Sequence, residues 1–283
     1  MDGRHTLLVD GFQREYVLHR PARDVAEPAP LVIVLHGGGG AAEFALRATG
    51  WSEEADHAGF FVAYPNALRR DPRAPGTFLR NPRFWHVRSN PSTPRKPVDD
   101  VRFLEAMIDE LCARAPVDPR RVFVSGFSNG ASMALRLACE RAERVRAIAP
   151  VAGSLWDYDV APARPVPAIF VQGDADPLNP LEGGQVRSPW GGVFERPPVR
   201  TTVETWARWI GCPPEPAMIR ADAGVTALRY GSPSGGATVE FHVIHGLGHV
   251  WPGGRAVLSE RISGPNLNIL RATDLIWEFF SRV

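Results

Sequence analysis

The chain has 283 residues, 44% of them hydrophobic, enough to bury one large core, and α/β chains of this length commonly fold as one domain. A formal net charge of +1 excludes the strong one-signed field that draws proteins to nucleic acid or anionic lipid, so neither nucleic acid nor membrane is an expected partner. No apolar run approaches the roughly 20 residues needed to span a bilayer, and residues 1–10 lack a hydrophobic signal core. The expectation is a soluble protein, cytoplasmic as written or secreted if the chain is a trimmed mature form.

In chain order, residues 7–10 and 16–19 predict an opening hairpin. Residues 31–35 (Leu-Val-Ile-Val-Leu) are a continuous apolar run, as in a buried central strand. Further strands are predicted over 60–64, 122–125, 147–150, 168–171 and 238–245. Helices fit between them. Residues 98–114 carry Val101, Leu104, Ile108 and Leu111 at helical spacing, and 128–141, 201–210 and 268–282 are the other candidates. This alternation predicts an α/β fold: a single mostly parallel twisted sheet flanked by helices, with no large separate lid and residues 1–283 as one domain. Two long connections stand out, the Pro- and Arg-rich 65–97 and the Gly- and Pro-rich 179–198. Structureless loops of that length are functional or disordered. Cys112, Cys139 and Cys212 do not form a disulfide framework and read as buried reduced thiols, although one pair has the option of bonding in an oxidising compartment.

The chemistry-bearing signal is Gly126-Phe127-Ser128-Asn129-Gly130, set between the 122–125 strand and a helix. That is the context of a nucleophile elbow. The chain must reverse from strand to helix within a few residues, so flanking side chains would collide and the serine is held under backbone strain. Ser128 also opens a helix, where free N–H groups favour developing negative charge.

The 31–35 strand runs into His36-Gly37-Gly38-Gly39-Gly40. Such a loop supplies oxyanion donors, because glycines let backbone N–H groups approach a substrate carbonyl. The expected donors are the N–H groups of Asn129 and Gly38, with Gly39 as runner-up. A phosphate loop is the competing reading, but the Lys-Ser/Thr ending and the G-x-G-x-x-G pattern are both missing. His36 reads as a structural hydrogen-bonder beneath the loop.

A serine hydroxyl needs a base, and the base an orienting carboxylate, in the chain order Ser, acid, His. Asp174 and Asp176 follow the 168–171 strand. Asp176 is preferred because it lies further out with Pro177 behind it, while Asp174 is suited to bonding loop N–H groups. His249 sits in the glycine-framed loop after the last strand. His242, His245 and His249 do not read as metal ligands, since an offset of three in a strand sends side chains to opposite faces. No metal or cofactor is expected.

With these residues assembled, the chain resembles the poly(3-hydroxybutyrate) depolymerase and feruloyl/acetylxylan esterase family. The resemblance runs through Asp10-Gly11-Phe12-Gln13-Arg14-Glu15-Tyr16, His36-Gly37-Gly38, Tyr64-Pro65-Asn66 and Asp99-Asp100-Val101-Arg102-Phe103-Leu104. It continues through Asp118-Pro119-Arg120-Arg121-Val122, Gly126–Gly130 and Ala149-Pro150-Val151-Ala152-Gly153. Gly246-Leu247-Gly248-His249-Val250-Trp251-Pro252-Gly253-Gly254 is its most specific part. The resemblance implies an α/β-hydrolase whose nucleophile, acid and base fall on Ser128, Asp176 and His249. It implies hydrolysis of small soluble esters through an acyl-enzyme: feruloyl, acetyl-sugar or short hydroxyalkanoate oligomer esters. An intracellular-type polyhydroxybutyrate depolymerase and a peptidase or acyltransferase on the same scaffold are the alternatives.

Trp85, Trp190 and Trp251 are candidate flat apolar walls for the substrate, or else packing residues. Arg69, Arg70, Arg73, Arg80, Arg83, Arg88 and Arg95 form either a solvated face or a seat for a carboxylate-bearing substrate.

Overall fold

A computed structural model describes residues 3–22, 28–87, 99–156, 160–232, 236–256 and 258–283. Its strands are β1 (Gly3–Val9), β2 (Phe12–His19), β3 (Ala29–Leu35), β4 (Phe61–Pro65), β5 (Val117–Phe127), β6 (Ala147–Val151), β7 (Ala168–Gly173), β8 (Gly184–Arg187), β9 (Val193–Arg196), β10 (Ala217–Ala221), β11 (Val225–Gly231) and β12 (Thr238–Ile244). The helices are α1 (Ala42–Thr49), α2 (Trp51–Ala58), α3 (Asp100–Arg114), α4 (Asn129–Glu140), α5 (Val199–Trp209), the short α6 (Glu260–Ser263) and α7 (Ala272–Arg282).

Ten strands form one sheet in the order β1-β2-β4-β3-β5-β6-β7-β12-β11-β10. The run from β4 to β12 is parallel. The β1–β2 hairpin closes one edge antiparallel and β11–β10 the other. This is the mostly parallel α/β sheet that the sequence predicts. Both of its faces are buried, which is why the central strands read as unbroken apolar runs rather than alternating ones. Leu31, Ile33 and Leu35 turn to the side covered by α3, α4 and α5, where Phe103, Leu104, Met133 and Trp206 pack. Val32 and Val34 turn to the side of α1, α2 and α7, against Trp51, Ile276 and Phe280.

Predicted and observed elements differ in instructive places. The β1–β2 hairpin is longer than expected. Its inner strand is bolted down by Arg14, fully buried, which donates to Asp100 Oδ1 (2.6 Å) and lies 4.0 Å over the Phe103 ring. Asp100 Oδ2 also accepts the His86 N–H at 2.7 Å. Helix α3 starts at Asp100, capped by the Asp99 side chain on the Val101 N–H (3.0 Å). Its predicted first residue, 98, lies outside the described residues. Helix α7 starts at Ala272 instead of residue 268, because the Ala272 N–H is drawn to Pro252 O (3.0 Å) and the preceding stretch lies against the Trp251–Gly254 turn. The last strand ends one residue short of His245. Helices α1 and α2, two eight-residue helices hinged on Gly50 in the left-handed region (φ 74°), fall where no helix is predicted. Connection 179–198 is not structureless: it carries the β8–β9 hairpin.

Candidate active site

β5 runs into the elbow, and Ser128 takes φ 55° and ψ −116°, a conformation side chains rarely adopt. Its N–H donates to Val151 O at 2.8 Å, which ties the bend to the neighbouring strand. The flanking glycines are sterically required. A Cβ on Gly126 would come 2.3 Å from Gly130 O, and one on Gly130 would come 2.2 Å from Leu35 O.

His249 arrives on the loop after β12, and the same logic of close backbone approach holds that loop. A Cβ on Gly173 would meet Leu247 O at 2.1 Å, and one on Gly248 would meet Ser263 O at 2.2 Å. The His249 N–H donates to Ser263 O (2.5 Å), and the Phe127 ring packs 4.8 Å from the imidazole. His249 Nε2 lies 2.9 Å from Ser128 Oγ, and Nδ1 lies 2.7 Å from Asp176 Oδ2. With Asp176 ionised, Nδ1–H donates to the carboxylate and Nε2 is left to accept from the hydroxyl.

Asp176 is 3% exposed. Its Oδ1 accepts from the N–H groups of Leu178 (2.8 Å) and Asn179 (2.7 Å), and Gln172 Nε2 donates to Oδ2 at 3.2 Å. Burial pushes this carboxyl up, but the adjoining His249 and the backbone N–H groups of Asn179 and Leu178 outweigh it, so the group titrates below its usual value. The rival acid, Asp174, is engaged by other groups. It accepts from the Gly246 N–H (2.6 Å) and from His245 Nδ1 (2.9 Å), the loop-holding arrangement expected of it.

The glycine loop after β3 sorts its own N–H groups. Gly39 donates to Arg83 O (2.7 Å) and Gly40 to Gly37 O (3.0 Å). Gly38 has no hydrogen-bond partner among the described residues, which removes Gly39 as the runner-up. Asn129 opens α4, so its N–H has no intrahelical acceptor. His36 sits beneath the loop: its Nε2 accepts the Ala67 N–H (3.1 Å), so Nδ1–H donates to Gly37 O (2.7 Å).

The three tryptophans divide. Trp190 and Trp251 line the cavity that opens over Ser128 and His249, a space of about 390 Å³. Trp190 stands against Phe78 and Phe84 and donates to Phe78 O (2.6 Å); Trp251 is held by Thr273 Oγ1 (3.1 Å). Trp85 is not a substrate wall. It is fully buried and does not line that cavity. Its indole N–H donates to His36 O (2.9 Å), its main-chain N–H donates to Asn129 Oδ1 (2.7 Å), and its carbonyl accepts from Asn129 Nδ2 (3.2 Å). It clamps together the two segments that carry the free N–H groups of Gly38 and Asn129.

The arginines of the first long connection are also elsewhere. Arg69, Arg73 and Arg83 border a separate cavity beside Asp10 and Glu15. Arg70 and Arg80 are exposed, and Arg88 and Arg95 lie outside the described residues. None of the described five lines the cavity over Ser128. Arg196, on β9, does line it, and so does the exposed Arg255. Neither belongs to a motif in the sequence.

Cys112, Cys139 and Cys212 are free thiols, and burial pushes Cys139 up to about 12. Among the described residues no three or more His, Cys, Asp or Glu side chains are grouped to hold a metal ion, and no helix is long and apolar enough to cross a membrane.

A mostly parallel sheet with helices on both faces and a strained serine between strand and helix defines an α/β-hydrolase. A profile of the phospholipase/carboxylesterase family matches residues 22–189. The chain is 33% identical to a putative esterase, NocK, from Nocardia uniformis subsp. tsuyamanensis, across 96% of its own length and 80% of that protein. It therefore belongs to the phospholipase/carboxylesterase family and is a carboxylic ester hydrolase. It is also 31% identical to feruloyl esterase B from Piromyces equi over 53% of its length, a match that spans 29% of that longer protein. Among solved structures, acetyl xylan esterase from Aspergillus awamori shares the fold with a TM-score of 0.64 at 15% identity, covering 99% of this chain and 100% of that one.

Proposed function

We propose that the chain is one catalytic domain that hydrolyses small esters through an acyl-enzyme on Ser128. The observation that carries this reading is the unbroken line from Ser128 Oγ through His249 to the buried Asp176, at 2.9 and 2.7 Å. Ser128 Oγ attacks the ester carbonyl as His249 Nε2 takes its proton. The carbonyl oxygen gathers negative charge and is held by the N–H groups of Gly38 and Asn129. The tetrahedral adduct collapses, and His249 passes the proton to the departing alcohol. Water then attacks the acyl-serine, giving its proton to the same nitrogen. The acid leaves as the proton returns to Oγ. Asp176 keeps Nδ1 protonated throughout and stabilises the imidazolium.

A cavity of about 390 Å³ falls at the small end of ligand sites. Its size supports a compact acyl or alcohol group rather than a polymer strand. Feruloyl, acetyl-sugar and short hydroxyalkanoate esters all fit that description, and its relatives include both feruloyl esterase B from Piromyces equi and poly(3-hydroxyalkanoate) depolymerase C from Paucimonas lemoignei. Ser128→Ala is expected to lower p-nitrophenyl acetate turnover by a factor near 10⁶, as in comparable triads. A fluorophosphonate probe is expected to label Ser128. Turnover above a few per cent of wild type, or labelling elsewhere, refutes the assignment. Methyl ferulate, acetylated xylooligomers and hydroxybutyrate oligomers compared side by side identify the preferred ester.

A further inference from the structure

Arg196 is the largest unexplained charge in the cavity. It stands on β9 and lines the same space as Ser128 and His249. Its guanidinium lies over two aromatic rings, 4.9 Å from the centre of Trp156 and 5.3 Å from that of Phe194. Among the described residues it has no ion pair or side-chain hydrogen bond, and its Nε is buried without a partner. Burial pulls its pKa down to about 10 even with the Asp176 charge working in the opposite direction. Asp176 is not available as a partner, since its oxygens are already taken by His249, Gln172 and two backbone N–H groups.

A guanidinium carries five N–H donors in a rigid fork that matches a carboxylate. Arg196 is half-buried, and leaving its buried Nε unpaired costs free energy that an anion bound in the cavity would offset. Stacking on Trp156 and Phe194 fixes the plane of the fork and shields it from competing water. The rest of the cavity wall is mostly apolar, with rings such as Phe44, Phe78 and Trp190. An anion entering it has no comparably sheltered cation to choose, because Arg255 is exposed and screened by solvent.

We propose that Arg196 seats the free carboxylate of the substrate, so that the enzyme prefers esters carrying a second, ionised acid group: half-esters of dicarboxylic acids or hydroxyacid oligomers with a free terminus. This rests on the hydrolytic reading of Ser128 above and names the substrate class for that site.

The test compares two esters of equal length, the anionic p-nitrophenyl monoester of glutaric acid and neutral p-nitrophenyl valerate, as a ratio of kcat/KM. Arg196→Gln is expected to lower the anionic-to-neutral ratio by about 10- to 100-fold. Arg196→Lys, which keeps the charge and loses the fork, is expected to fall between the two. A ratio that moves by less than about threefold in Arg196→Gln overturns the proposal, and so does a loss confined to Arg255→Gln. If the Arg196 variants do not fold, the wild type still decides. Its KM for the glutarate ester should lie below that for the valerate and rise with salt, and a KM equal or higher at low salt overturns the seat. Failure of the hydrolytic reading looks different: Ser128→Ala would then retain turnover on both esters, whatever the ratio.

Discussion

Asn129 has two jobs in this site, and Asn129→Ala separates them. Its main-chain N–H, an expected oxyanion donor, survives the substitution. Its side chain, which holds Trp85 by the N–H (2.7 Å) and the carbonyl (3.2 Å), does not. Both Trp85 groups are buried, so truncation strands a donor and an acceptor that water cannot easily reach. A stranded buried group costs about 1–3 kcal/mol, and the longer bond belongs at the low end of that range. Alanine returns up to about 0.7 kcal/mol of helix propensity at the start of α4. The net loss is about 2–3 kcal/mol, which for a chain of this size lowers the thermal midpoint by roughly 4–10 °C. Loosening the clamp also lets the Gly38 and Asn129 donors drift. The expected fall in kcat is about tenfold, well short of the 10²–10³ that follows deletion of an oxyanion donor, with KM little changed. Differential scanning calorimetry and p-nitrophenyl acetate kinetics check both halves. A midpoint within about 1 °C of wild type refutes the clamp, and a raised KM at unchanged kcat shows that this region binds substrate after all.

Asp176→Asn preserves the shape of the acid but spoils its control of the His249 tautomer, and kcat is expected to drop by about 10⁴ when measured by burst-phase and steady-state assay. Gly130→Ala forces a Cβ to 2.2 Å from Leu35 O; soluble yield should collapse, and a well-folded, active variant would contradict the elbow packing described here. Glu240 is buried and bonded to Arg229, His242 and Arg282. Burial raises its pKa, but His242 and Arg229 pull it lower still, to a net value below the usual glutamate. Its stabilisation is therefore present above the unfolded pKa of about 4.3 and disappears as pH falls through the lower folded value. Thermal midpoints of wild type and Glu240→Gln should differ at pH 7 and converge on acidification below about pH 4; a gap that stays constant with pH counts against this assignment.

What could be read from sequence follows how local each constraint is. The central strands are legible because two buried faces demand unbroken apolar runs. The elbow is legible because Gly126 and Gly130 are required within five residues of chain, and a steric requirement at short range leaves a pattern. The choice of Asp176 over Asp174 was open to reasoning from loop position alone, and the bonds of Asp174 to Gly246 and His245 explain why it is not free to serve. Trp85 escaped because nothing near it in sequence distinguishes a wall from a clamp: its partners His36 and Asn129 are 49 and 44 residues away. Helices α1 and α2 are hard to read from sequence because each is only eight residues long, and short helices depend on tertiary packing more than on their own propensity.

Arg196 carries a local signal in the sequence. Residues 193–196 read Val-Phe-Glu-Arg, and as a strand this segment must alternate, placing Phe194 and Arg196 on one face. Both line the cavity. An aromatic and a cation sharing a face in a Gly- and Pro-rich connection already suggests a stacked guanidinium. Missing is the partner, and only the three-dimensional packing reveals that absence. The chemical half of the site is thus written in short glycine motifs, where backbone must touch backbone. The selective half is written in side chains borrowed from a four-residue strand, where substitution changes which ester is preferred without disturbing the elbow. On that division, substitutions in the β8–β9 hairpin are expected to shift the ratio of kcat/KM between esters while leaving the Ser128–His249–Asp176 geometry in place, and a hairpin variant that loses turnover on every ester alike counts against it.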